Sequence, residues 1–341
     1  MKVLVTGGTG FIGSHTVEAL LRAGHEVRLL ARDADKTRRV FAPRGIRMDD
    51  VVLGDVTDPS VVAKSLDGCE GVVHAAALVG LKKSEAKEVL ETNQRAVELV
   101  VGGACERDLR SILYVSSLSA LGRPGGPPIT VDSPIAEGGS AYATSKANAE
   151  RTVRGLQDAG APIRISYPPG VIGPDDPGMS GANDAVRAFL AQTMVVTSGG
   201  FAVVDVRDLA EIHARLVAPD APAGRYLIPG HLLTWPETVA MMDRITGRRV
   251  NRIPVPGPLL RFAGRGGDLV KRFWDFEFPL TYESMAFASG WPGAVMSPDM
   301  AALDFDFRDA QQTYEDTVRS MFQSGHLTEK QAGRLAQGVD G

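Results

Sequence analysis

The chain opens on an apolar run, Val3, Leu4 and Val5, that breaks into a turn carrying Gly7, Gly10 and Gly13. Because no polar residue alternates within the run, it predicts a central parallel strand covered on both faces. Phe11, Ile12, Val17, Leu20 and Leu21 then recur at helical spacing until Gly24 supplies a stop. Further apolar runs predict strands over 26–32, 51–55, 71–77, 111–117 and 161–167, with helical patterns over about 84–107 and 140–158. Strands alternating with helices predict an α/β chain built on a doubly wound parallel sheet. Near the end, Ala310, Tyr314, Val318 and Met321 predict a docked helix over about 309–323, whereas 328–341 is polar and is expected to fray.

The first turn has a specific physical use. Gly7 allows a tight bend, Gly10 lets a pyrophosphate approach bare backbone, and Gly13 lets the next helix pack closely on the strand. Phosphates there meet unpaired N–H groups and the positive end of a helix dipole. Lying between a strand and a helix, with a second strand following, the turn predicts dinucleotide binding through Gly7, Thr9, Gly10, Phe11, Ile12 and Gly13. The run Thr6-Gly-Gly-Thr-Gly-Phe-Ile-Gly13 resembles the extended branch of the short-chain dehydrogenase/reductase superfamily. That resemblance implies a Rossmann fold over residues 1–170, with return segments in about 200–230 and a smaller α/β substrate lobe over 171–341.

Composition narrows the partners. With 341 residues and 44% apolar content the chain has a large core, and a net charge of −4 argues against nucleic acid as a main ligand. Cys69 and Cys105 make neither a disulfide framework nor a zinc site, so no metal is expected and a reducing, cytoplasmic setting is. The N-terminus reads as no signal peptide, and no run reaches the ~18 apolar residues of a spanning helix. Residues 258–273 are basic and amphipathic, suited either to a membrane surface or to packing on the second lobe.

By resemblance, Arg32 at the end of the second strand suits a ribose 2′-phosphate and hence NADP(H), while Asp33 turned inward would serve NAD(H). Asp55 and Val56 then border the adenine. Ala75, Ala76 and Ala77 let a flat cofactor pass, and Pro168 and Val171 flank the nicotinamide. His74 is expected to be structural and Asp208 to cap a helix. Asn93 either holds an active-site water or bends its helix toward the reacting centre, as the resemblance implies, or is a plain helix-face amide.

Tyr142 and Lys146 are four residues apart, on one helical face. Reducing a ketone places negative charge on its oxygen, so a proton donor must stand within hydrogen-bonding distance. A phenol titrates near 10, and an ammonium ~4 Å away at an effective dielectric of ~20 contributes about 4 kcal/mol toward the phenolate. The resemblance makes Tyr142 the acid/base, Lys146 its partner and a ligand of the cofactor ribose, and Ser117 the donor to the substrate oxygen. Ser116 lies beside the cofactor and Ser119 toward the substrate, and Leu121 replaces the branch's usual Tyr.

For substrate, Gly170 stands where sugar-nucleotide epimerases and dehydratases carry Asn, and from 175 to 200 the sole base is Arg187. The aromatic stretch 273–278 offers apolar surface or core. The resemblance implies interconversion of a hydroxyl and a keto group on a small or moderately large apolar molecule, with a homodimer open. The alternatives are a sugar-nucleotide epimerase or dehydratase with retained NAD, and an NADP-binding redox sensor or scaffold.

Overall fold

The computed structural model describes residues 1–80, 83–270 and 282–337. Strands β1 (Lys2–Thr6), β2 (Glu26–Ala31), β3 (Val51–Leu53), β4 (Gly71–His74), β5 (Ser111–Val115) and β6 (Ile163–Tyr167) form where the apolar runs predict them. β3, β4 and β5 stop two or three residues short of their predicted carboxyl ends, because those last residues leave the ladder to build ligand-side loops. Between the strands lie helices α1 (Phe11–Arg22), α2 (Ala34–Phe41), α3 (Pro59–Leu66) and α4 (Ala86–Val97). A π turn, Glu98–Gly102, carries α4 into the single turn α5 (Gly103–Cys105), and α6 (Ala141–Asp158) follows β5.

The second half contributes β7 (Gly170–Ile172), α7 (Gly181–Ala191), β8 (Met194–Val196), β9 (Gly200–Asp205), α8 (Val206–Val217), β10 (Gly224–Leu227) and β11 (His231–Thr234). Then come α9 (Trp235–Thr246), β12 (Arg252–Pro254), α10 (Gly257–Val270), α11 (Tyr282–Gly290), α12 (Pro298–Ala301), α13 (Ala310–Gln323) and α14 (Glu329–Ala332).

The main sheet runs β10-β6-β5-β4-β1-β2-β3, parallel throughout. Strand order reverses between β1 and β4, and an open parallel sheet takes its ligands at the carboxyl side of such a reversal. Alternation along β1 sends Val3 and Val5 into the core layer shared with α1 and α8, and Leu4 into the layer under α3, α4 and α6. Two small sheets, β11-β9-β7 and β12-β8, are hydrogen-bonded separately from the main sheet.

The tail differs from expectation. A capping box between Thr328 and Gln331 starts α14, and Ala332 and Leu335 are buried against Tyr314, Val318 and Met321. Ala332 and Leu335, with Ala336 packed beside them, suffice to dock residues 328–337, an otherwise polar stretch. Residues 258–270 form most of α10, whereas 271–273 and the aromatic stretch 273–278 lie outside the described residues. Among the described residues no helix is long and apolar enough to cross a membrane.

Candidate active site

At the end of β1 the chain bends at Gly7, whose φ is +73°, and a Cβ there would come within 2.6 Å of the Ala76 nitrogen. A Cβ on Gly13 would overlap the Gly7 carbonyl, so α1 sits directly on the strand end. Gly10 caps α1 without a side chain, and its amide donates to the Gly7 carbonyl at 2.9 Å. The first-turn amides of α1 therefore look onto a cradle that Cβ atoms would fill, a fit for a dinucleotide diphosphate. Phe11 and Ile12 turn their side chains into the core and leave their backbone to the cradle, with Thr9 half-buried beside them. Ala75 and Ala76, half-buried, and the exposed Ala77 form the opposite wall after β4.

At the ribose end Arg32 is exposed just past β2. Asp33 caps α2, accepting from the amides of Asp35 at 2.7 Å and Lys36 at 3.1 Å, with Arg39 3.6 Å away. Asp55 accepts from the Thr57 hydroxyl at 2.7 Å and amide at 2.9 Å, which hold its carboxyl below the usual range, and Val56 is half-buried against the core.

Ser117 lies two residues past β5. Its Oγ accepts from the Ser119 hydroxyl at 2.9 Å and amide at 3.2 Å, and it hydrogen-bonds the Tyr142 phenol. Ser140 caps α6 by accepting from the Ala143 amide, which sets Tyr142 in the first turn facing Ser117. Lys146, 7% exposed, donates from Nζ to the Val115 carbonyl at 2.9 Å and lies 6.0 Å from the centre of the Tyr142 ring.

Burial lowers Lys146 to about 8, opposed by the nearby Glu150 charge. Burial also raises Tyr142 above its ordinary value, opposed by its bond with Ser117. Desolvation dominates the phenol and Ser117 is the group that opposes it; the expected downward pull of the ammonium does not register, the ammonium being turned to a strand carbonyl.

Glu150 escaped the sequence reading. It is fully buried one turn beyond Lys146, and its carboxylate accepts from the Ser116 hydroxyl at 2.8 Å, from Arg154 Nε at 2.7 Å and from the Tyr167 hydroxyl. The available signal was a lone carboxylate on the α6 face shared with Tyr142 and Lys146. Ser116, expected beside the cofactor, donates its hydroxyl to Glu150. His74 is structural, with Nδ1 2.7 Å from the Thr6 hydroxyl and burial lowering it to about 3. Asn93 spends its amide on both backbone groups of Leu78 and, at 3.0 Å, on Ser145, so it ties the loop after β4 to α6 as a helix-face amide.

Pro168 and Val171 are buried after β6, and the Pro168 carbonyl accepts from the Leu118 amide at 3.1 Å. The cap of α8 is Asp205 rather than Asp208, which instead binds the Arg308 backbone and side chain. A Cβ on Gly170 would overlap the Phe201 ring, itself stacked on Trp235. Arg187 is paired with Asp184 at 2.6 Å.

A cavity of about 310 Å³ opens beside Ser119 and Ala143, walled by Pro124, Tyr282, Ala286 and Phe287. Its one base, Arg123, faces Glu137 at 3.8 Å. A hollow of about 500 Å³ at the far end of α6, by Gln157 and Arg225, holds none of these groups. Among the described residues no cluster of His, Cys, Asp or Glu could hold a metal.

The cradle at the switch point, with Ser117, Tyr142 and Lys146 gathered past the end of β5, places the ligand side of this α/β fold at the carboxyl edge of its sheet. The profile of the NAD dependent epimerase/dehydratase family matches residues 3–228, and the chain belongs to that family. Sterol demethylase protein B of Methylococcus capsulatus is 28% identical over 273 residues, 76% of this chain and 79% of that protein. A putative dihydroflavonol 4-reductase of Synechocystis sp. is 28% identical over 74% of each chain. UDP-glucose 4-epimerase of Neisseria meningitidis is 33% identical over 46% of this chain and 49% of that one. Among solved structures, gox2253 superposes with a TM-score of 0.79 at 25% identity, covering 96% of this chain and 99% of the other. The family thus includes both reductases and UDP-sugar epimerases.

Proposed function

We propose that this protein is an NAD(P)-dependent oxidoreductase that interconverts a hydroxyl and a keto group on a small apolar substrate. One observation carries the reading: Ser119, hydrogen-bonded to Ser117, and Ala143, next to Tyr142 in the chain, line a cavity whose walls are largely apolar and whose one base is already paired. When bound, the nicotinamide supplies or accepts the hydride. Tyr142 gives its proton to the substrate oxygen in reduction and takes it back in oxidation. Ser117 donates to the same oxygen, and the Lys146 ammonium supplies positive charge behind a phenol that must pass through its anionic form.

Arg32, with Asp33 turned into α2, favours a ribose 2′-phosphate and therefore NADP(H), with NAD(H) as the lesser partner. The relatives named for sterol and dihydroflavonol chemistry fit an apolar ring substrate. A sugar nucleotide fits less well, because Arg187 is neutralised by Asp184 and the Gly170 position has no room for an amide side chain.

The test is a panel of carbonyls and alcohols with each nicotinamide, run on wild type and Tyr142→Phe. Turnover should fall by roughly 10²- to 10⁴-fold in the variant with dinucleotide affinity kept. Equal turnover in both proteins, or turnover of a UDP-sugar on retained NAD, overturns the reading.

A further inference from the structure

Resting on the reading of Tyr142 and Lys146 as a working pair, we infer that Glu150 is a positioning residue whose buried carboxylate keeps the Lys146 ammonium charged behind the phenol. Tyr142, Lys146 and Glu150 occupy positions i, i+4 and i+8 of α6 and so form one column along the helix. A buried carboxylate is costly unless its oxygens are satisfied, and an apolar side chain would fill such a site with less difficulty. Here three elements satisfy it: Ser116 after β5 at 2.8 Å, Tyr167 at the end of β6, and Arg154 on α6 at 2.7 Å.

Among the described residues, the other groups facing Lys146 supply no negative charge. From β5 come the Val115 carbonyl and the Tyr114 ring, whose centre is 5.4 Å from Nζ. From β4 comes His74, kept neutral by burial, and from α6 Tyr142, held protonated by burial. Tyr114 is likewise pushed up by burial. Arg154, beyond Glu150, adds positive charge rather than negative. Glu150 is thus the group that opposes the desolvation drawing Lys146 down to about 8.

Glu150→Gln keeps the shape of the side chain and removes the charge. The ¹³Cε signal of Lys146, assigned by its loss in Lys146→Met, is titrated by NMR in wild type and variant. The midpoint should fall by on the order of one pH unit, and the alkaline limb of kcat/KM for carbonyl reduction should move down with it. A merely structural Glu150 would lower the melting temperature and leave both where they were, and that result overturns the proposal. Glu150→Asp, with its charge on a shorter arm, should titrate between the two. If the Gln protein does not fold, an Asp midpoint equal to wild type overturns it instead. Should Tyr142→Phe leave turnover intact, the pair reading fails by itself, and the NMR midpoint still answers for the carboxylate.

Discussion

Lys146 gives its ammonium proton to the Val115 carbonyl at 2.9 Å, not to the phenol one helical turn away, whose ring centre is 6.0 Å off. The charge is thereby anchored to the last residue of β5, so helix and strand cannot shift against each other without exposing it. The group that acts on the phenol is Ser117.

That anchored charge should cost stability. Lys146 titrates at about 8 in the fold against 10.5 when free. Between those values the unfolded chain binds the extra proton, so stability rises with pH across that window, and below it the full cost is present, at most about 3 kcal/mol. Lys146→Met should therefore gain on the order of 1–3 kcal/mol at pH 7 while losing turnover. A urea melt showing the variant no more stable than wild type sinks the idea.

Acid should unfold the protein early. His15 is lowered to about 4, and His74 and His213 to about 3, in each case chiefly by burial. Below 6.5 the unfolded chain takes up protons that the fold refuses, so stability falls as pH drops. Three such sites give a slope of at most about 4 kcal/mol per pH unit near pH 5. Melts at pH 7.5, 6 and 5 check this, and a flat profile contradicts it.

Gly13→Ala should disrupt the dinucleotide turn, because its methyl would overlap the Gly7 carbonyl. Overpacking of this kind costs about 1–3 kcal/mol. Calorimetric titration should show NAD(P) affinity lost before the fold is, and retained affinity would contradict the packing role.

Arg32→Ala should weaken NADPH binding about 10- to 100-fold, the range of one charge-assisted hydrogen bond, and leave NADH nearly unchanged. Equal loss for both dinucleotides would remove Arg32 from the phosphate pocket.

Much of this architecture was legible in the residues themselves. Val3, Leu4 and Val5 announce a strand buried on both faces, and the glycines after it have distinct steric consequences in the fold. The Tyr142 and Lys146 spacing also placed both on one face. What was hidden depends on contacts across sequence. Nothing local to Ser116 reveals that Glu150, 34 residues on, accepts from its hydroxyl. Asp205 and Asp208 both suit a helix start, and only the distant Arg308 decides which is free to cap. The phenol's pKa was misjudged because spacing fixes the direction of a charge but neither its distance nor the desolvation around it.

Strand β10 reaches the main sheet only after the chain has already built β7, β8 and β9 elsewhere. A polypeptide cut near residue 170 would leave β6 as a bare edge, its amides and carbonyls open to another molecule. The substrate-side segment therefore cannot be exchanged between relatives as one contiguous block. A chimaera must carry residues 224–227 with the nucleotide half, or it will expose a sticky margin and aggregate.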